Sequence, residues 1–177
     1  VAASVKALGD IDRSSIDLVV VSTVTPDALV PSMGALVKRA LGLENAVAFD
    51  LNAACSGFIY GLWVAESLMQ NRAAGKPNRN LVNRALIGVE RLSRITNWQD
   101  RGTCILFGDG AGCAVLEYNE SKPGILGSYI KNYDDVTNSL VCGLNYEQTP
   151  FITDEHNDMF IRMNGTQVFK FAVKAVA

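Results

Sequence analysis

The run Ile16-Asp17-Leu18-Val19-Val20-Val21-Ser22 constrains the fold more than any other stretch of the chain. A short segment so rich in β-branched residues, without polar alternation, reads as a strand buried on both faces, and such a strand needs helices above and below it. The segments downstream are consistent with that demand. Residues 31–41 read as a helix, with Pro31 near the first turn and Gly42 past the end. Residues 46–51 read as a second buried strand. Between Ser56 and Met69 the apolar residues Phe58, Ile59, Leu62, Ala65 and Met69 recur at helical spacing. Residues 85–89 predict a third strand, 103–107 a fourth and 112–118 a fifth, the last reached through the turn Phe107-Gly108-Asp109-Gly110-Ala111-Gly112. The order β-α-β-α-β predicts an α/β layered fold with parallel strands.

Composition removes several function classes. Sixteen Lys and Arg against eighteen Asp and Glu give a net charge of −2, which weighs against nucleic-acid binding. A hydrophobic content of 49% excludes a disordered tail. No apolar run approaches the roughly 20 residues of a membrane helix, so no membrane partner is expected. The start, Val1-Ala2-Ala3-Ser4, has no basic region and no cleavage pattern, so no signal peptide is expected. Cys55, Cys104, Cys113 and Cys142 form no CxxC pair, which predicts neither a disulfide framework nor a metal site and makes a reducing cytoplasm the default. Residues 71–83 read as a polar surface loop. After Pro123-Gly124 a strand-like segment begins, followed by an acidic, Asn-rich stretch over 132–158. Residues 160–163 read as a strand and Asn164 as the start of an amphipathic helix. Both ends look like interrupted helices, which predicts a piece of a longer chain.

Cys55 is the first candidate for chemistry. In Leu51-Asn52-Ala53-Ala54-Cys55-Ser56-Gly57-Phe58 it follows a strand by four residues and opens an apolar helix, with small residues crowded on both sides. A tight strand-to-helix turn requires such residues. A thiol there meets the unpaired N–H groups and the positive end of the helix dipole, which favour thiolate, and the same N–H groups suit an oxyanion. That is the logic of a nucleophile elbow. The alternative is that Cys55 is one more small, buried apolar residue. Cys104 and Cys113 read as core filler in strands, and Cys142 as a loop residue. The glycine turn at 108–112 lacks the Lys-Ser/Thr of a phosphate loop and is read instead as a close approach of two backbones. His156 reads as a solvated loop residue. Arg101, at a loop–strand junction, suits stacking on a purine or a surface salt bridge. Lys170 and Lys174 make a small basic face on the last helix.

Four blocks together resemble one family: Asn52-Ala53-Ala54-Cys55-Ser56-Gly57-Phe58, Asp100-Arg101-Gly102-Thr103, Phe107-Gly108-Asp109-Gly110-Ala111-Gly112, and Met163-Asn164-Gly165 with Val168-Phe169-Lys170. In order and spacing they are similar to β-ketoacyl-acyl-carrier-protein synthase III. The resemblance implies a thiolase fold, layered α-β-α-β-α, of which residues 1–122 would be most of the N-terminal half with the nucleophile and 123–177 a truncated beginning of the C-terminal half. It implies a homodimeric acyltransferase that takes an acyl group from acyl-CoA, acetyl-CoA first among the candidates, onto Cys55. That group then condenses with malonyl-acyl-carrier protein to start type II fatty-acid synthesis, with no permanently bound cofactor. It further implies that the Cys55 N–H lies in the oxyanion hole and that Arg101 stacks on the adenine of coenzyme A. Phe107 and Met163 would line the thioester pocket, and Lys170 would meet the acidic carrier protein. Val30 stands where some members place an aromatic that enters the partner subunit's acyl pocket, so a smaller side chain suggests a roomier pocket for longer or branched primers.

The family's catalytic His and Asn motifs, and its adenine-stacking Trp, are not found within these 177 residues. His156 and Trp98 do not take their places. A chain of this extent is therefore expected not to condense malonyl-carrier protein by itself. The alternatives are another CoA-primed condensing enzyme, of the polyketide-starter or hydroxymethylglutaryl-CoA synthase type, and a non-catalytic thiolase-fold subunit, which usually lacks the nucleophile. A nucleotide-binding α/β module is disfavoured because Ser22-Thr23-Val24-Thr25-Pro26 carries no glycine fingerprint.

Overall fold

A computed structural model describes residues 1–70, 83–119, 121–122, 124–143 and 159–176. His156, residues 71–82 of the polar loop and residues 144–158 of the Asn-rich stretch lie outside the described residues. The chain divides into two compact units, Val1–Glu90 with Gly110–Ile130, and Arg91–Asp109 with Lys131–Ala177.

The first unit is built on β1 (Ile16–Ser22), which pairs in parallel with β2 (Val47–Leu51) on one side and β3 (Asn83–Arg91) on the other. With β4 (Asp109–Glu117) the sheet runs β2-β1-β3-β4. Helices α1 (Ala2–Leu8), α2 (Met33–Leu41) and α3 (Gly57–Gln70) complete the unit. Strand β1 is the centre of two cores, as its sequence predicts. Val19 and Val21 join Leu8, Val37, Leu41, Leu43 and Ala46 on the α1–α2 face. Leu18 and Val20 join Ala65 and Met69 on the α3 face, with Phe58 and Leu62 packed against them. Ile16 belongs with Val19 and Val21, although strict alternation would put it beside Leu18. A register shift between Ile16 and Leu18 reverses the parity.

Helix α2 starts where Ser32 accepts the Ala35 N–H at 3.2 Å and stops at Gly42, which is left-handed at φ 65°. Its approach to β2 depends on Gly34, where an added Cβ would lie 2.8 Å from the Phe49 carbonyl oxygen.

In the second unit, β5 (Leu140–Cys142) pairs antiparallel with β6 (Ile161–Met163), and α4 (Gly165–Val176) comes next in the chain. The Asn164 N–H donates to the Ser139 carbonyl at 2.7 Å and the Ile161 N–H to Ile95 at 2.8 Å, tying the small sheet to its surroundings.

Six sequence expectations are corrected. Strand β2 is not buried on both faces: it is the edge of the sheet, and Val47 is 65% exposed. Residues 103–106 form turns rather than a strand, because Asp100 draws the chain back on itself. Its carboxylate accepts the Gly102 N–H and the Thr103 hydroxyl, and its carbonyl accepts the N–H groups of Thr103 and Cys104. Cys104 is thus half-buried in a turn and not on a strand. Residues 124–135 hold no strand, and Cys142 ends β5 instead of lying in a loop. Gly108, Gly110 and Gly112 have no described atom within 4 Å of an added Cβ, so they do not mark a close backbone approach.

Candidate active site

Strand β2 ends at Leu51, and only Asn52 and Ala53 separate it from a 3-10 turn, Ala54–Ser56, that runs directly into α3. The crossing is tight enough to hold Ala54 at φ 45°. An L-residue in the left-handed region costs roughly 1 kcal/mol, and such strain collects where geometry serves chemistry. Ala53 offers no side-chain acceptor to the turn, which closes through its own backbone: the Ser56 N–H donates to the Ala53 carbonyl at 3.1 Å and the Gly57 N–H to the Ala54 carbonyl. Cys55 is exposed on this turn, which removes the reading of it as a buried filler.

The turn is fixed from below by the end of β1. The Ser22 hydroxyl donates to the Gly57 carbonyl at 2.8 Å, and the Thr23 N–H donates to the Leu51 carbonyl at 3.1 Å. Gly57 is needed for this contact: a Cβ there would stand 3.0 Å from the Ser22 Cβ. Both residues bracketing the Cys55 turn are therefore pinned to one buried strand. Sequence reasoning missed Ser22 and Thr23. The only signal was two polar residues closing an apolar strand immediately before the chain turns.

Glu90, at the end of β3, was also missed. Its carboxylate accepts the Val24 N–H at 3.0 and 3.2 Å and the Thr25 hydroxyl at 2.9 Å. A carboxylate closing the apolar run Ala85-Leu86-Ile87-Gly88-Val89 was the available signal. Asp50 plays a different part, accepting the N–H groups of Met33 and Gly34 at 2.8 and 2.7 Å and so closing the start of α2.

The other predicted residues are spread over both units. Val30 lies in the first unit at a bare apolar tip, 86% exposed beside Leu29. Arg101, Phe107, Met163 and Lys170 lie in the second unit. Arg101 is exposed on the turn held by Asp100, whose carboxyl is kept below the ordinary carboxylate range by the Thr103 hydroxyl and the Gly102 N–H. Phe107, a few residues on, and Met163, on β6, are each half-buried. Lys170 is exposed on α4 with Lys174, among exposed Phe169, Phe171 and Val173. Cys113, half-buried on β4, packs on the α1–α2 core, and burial pushes its thiol up. Among the described residues, no three of His, Cys, Asp and Glu converge to hold a metal, and no helix is long and apolar enough to cross a membrane.

An exposed thiol at the head of a helix, with no side chain capping the turn and both flanks fixed, can attack a carbonyl whose oxygen meets the backbone N–H groups. Known proteins carry a matching frame. The family profile described as 3-oxoacyl-[acyl-carrier-protein] synthase III matches residues 49–134. A β-ketoacyl-[acyl-carrier-protein] synthase III from Streptococcus suis is 44% identical over 166 residues, 94% of this chain and 49% of that protein. One from Clostridium perfringens is 44% identical over 179 residues, 99% of this chain and 53% of that protein. The chain thus spans about half the length of the curated relatives it matches. Among solved structures, the 3-oxoacyl-[acyl-carrier-protein] synthase III from Aquifex aeolicus aligns with a TM-score of 0.79 at 34% identity, covering 95% of this chain and 49% of its own. The priming β-ketosynthase of the R1128 polyketide pathway aligns at 0.77 and 32%, covering 99% of this chain and 50% of its own.

Proposed function

The chain belongs to the β-ketoacyl-acyl-carrier-protein synthase III family and shares its thiolase fold, and on that footing we propose that the whole protein primes type II fatty-acid synthesis. In the first half-reaction the Cys55 sulfur attacks the thioester carbonyl of an acyl-CoA. The negative oxygen of the tetrahedral intermediate meets the Cys55 N–H, the carbon–sulfur bond to coenzyme A breaks, and coenzyme A leaves as its thiol with the proton Cys55 gave up. In the second, malonyl-acyl-carrier protein loses carbon dioxide, and the resulting carbanion attacks the acyl-Cys55 carbonyl. A carbon–carbon bond forms, the carbon–sulfur bond to Cys55 breaks, and Cys55 leaves as a thiolate that takes up a proton from solvent. The exposure of Cys55 on an uncapped, doubly anchored turn is the observation that carries this reading.

The remaining roles belong to the same proposal. Arg101 stacks on the adenine of coenzyme A, in keeping with its exposure on a braced turn. Phe107 and Met163 line the thioester pocket, and half-burial suits them to it. Lys170, with Lys174 beside it, meets the acidic carrier protein. The exposed Leu29-Val30 tip supports a homodimer in which Val30 enters the partner subunit's acyl pocket. A reducing cytoplasm accords with four cysteines that are all free thiols. The Streptococcus and Clostridium relatives are named for synthase III and not for a polyketide starter, a hydroxymethylglutaryl-CoA synthase or an inactive subunit.

Intact mass of the whole protein after brief exposure to acetyl-CoA, with peptide mapping, tests the proposal. An acetyl adduct on Cys55 that is absent from Cys55→Ser is the expected result. An adduct only with longer or branched acyl-CoA keeps the mechanism and supports the roomy pocket read from Val30. No adduct with any acyl-CoA sinks the catalytic reading.

A further inference from the structure

Glu90 is partly buried, and its whole recorded bonding goes to one short segment. One carboxylate oxygen accepts the Val24 N–H at 3.0 Å. The other accepts that same N–H at 3.2 Å, the Thr25 hydroxyl at 2.9 Å and, more loosely, the Thr23 hydroxyl at 3.4 Å. The Thr23 hydroxyl in turn accepts the Thr25 N–H at 3.0 Å, so the three residues form a closed knot around the carboxylate. Thr23 and Thr25 are buried, which makes these bonds strong and their loss costly. The knot continues directly into Ser22 and the Thr23 N–H, the two groups that hold Gly57 and Leu51 on either side of the Cys55 turn.

We propose that Glu90 is a positioning residue for Cys55: its carboxylate fixes residues 23–25, and through Ser22 and Thr23 it holds both ends of the turn that presents the thiol. The proposal deepens the acyl-transfer reading and rests on it for its kinetic consequence. An attacking atom displaced by about 1 Å loses on the order of a hundredfold in rate, so an anchor this close to both flanks of the turn acts on rate before it acts on affinity. No charge on Glu90 reaches the substrate in this scheme. The carboxylate matters as a hydrogen-bonding centre for residues 23–25, and a neutral amide of the same shape, bonding Val24 through its oxygen and Thr25 through its NH2, serves in its place.

The test uses the whole protein. Glu90→Ala is expected to speed amide hydrogen exchange in residues 52–58 by about tenfold, with residues 18–21 as protected as before, because local opening can be confined to the segment that lost its anchor. Single-turnover acylation of Cys55 by acetyl-CoA is expected to slow by at least about tenfold, with acetyl-CoA affinity unchanged. Glu90→Gln, whose amide oxygen can still accept from the Val24 N–H while its NH2 donates to the Thr25 hydroxyl oxygen, is expected to restore both to within about threefold. Exchange that rises over the whole sheet, or only at 22–25 with acylation unaltered, overturns the proposal. If Glu90→Ala does not fold, Thr25→Val removes a single hydroxyl from the carboxylate and gives the same two readouts at smaller size. The exchange arm is independent of acyl transfer. A wild-type protein that takes no acyl group defeats the proposed function, while the exchange pattern still decides the role of Glu90.

Discussion

Helices α2 and α3 flank the same sheet on opposite faces, and both begin just after a strand or its following loop, yet their first turns are built differently. The start of α2 is closed. Ser32 accepts one N–H, the Asp50 carboxylate accepts two more, and the negative charge meets the positive end of the helix. The start of α3 has no side-chain cap at Ala53, holds Ala54 at a positive φ, and exposes Cys55. A missing cap and a left-handed alanine each cost roughly 1 kcal/mol. Stability is given up at the helix proposed to carry chemistry and kept at the one that only packs, as expected where a site must leave N–H groups open for a reacting atom.

The comparison breaks most sharply if the second turn is given what the first one has. Ala53→Asp places a carboxylate at the missing cap, and acylation of Cys55 is expected to fall by roughly a hundredfold or more, because a filled oxyanion site no longer serves the transition state. Thermal stability should be equal or higher in the same variant. A variant that loads acetyl groups at the wild-type rate would show that these N–H groups are not used.

Gly34→Ala attacks the packed helix instead. The new Cβ meets the backbone N and O of Phe49 at 2.9 and 2.8 Å, which cannot swing away as a side chain could, so a loss of about 2–3 kcal/mol in denaturant unfolding is expected. Cys55 acylation per folded molecule should change little. Asp50→Ala strips the cap from α2 and is expected to cost about 1–2 kcal/mol, again without a matching loss in acylation.

The smallest effect concerns the turn carrying Arg101. The Asp100 carboxyl is held low by the Thr103 hydroxyl and the Gly102 N–H, so its folded value lies below its unfolded value near 3.9. The turn is therefore favoured above that pH and loosens as pH falls through the depressed value, a change that Asp100→Asn should flatten. Nuclear magnetic resonance shifts of Gly102 and Thr103 across an acid titration would report it.

Much of the frame was legible because it depends on short-range rules. Strand β1 announces itself as a β-branched run and β3 as a short apolar one, and α2, α3 and α4 by helical spacing with Gly42 past the end of α2, although α2 begins at Met33, after Pro31 and its cap Ser32. The Cys55 turn was legible as well, since only small residues fit so short a passage from strand to helix. The same rules misread residues 103–107: Cys-Ile-Leu-Phe is apolar enough for a strand, but one aspartate competes for the local N–H groups and leaves Ile105 76% exposed. They also passed over Cys142, whose strand exists only through its pairing with Ile161.

The order β1-α2-β2-α3-β3 and the small-residue turn that carries Cys55 were thus legible in the sequence alone, because neighbours along the chain decide them. The tertiary structure decided what holds that thiol in place. Ser22 meets Gly57 across 35 residues and Val24 meets Glu90 across 66, and neither pair is visible until the parallel sheet brings β1 beside β2 and β3. Hydrogen bonds of that reach follow from topology, whereas side-chain periodicity reports only whether each segment can enter it.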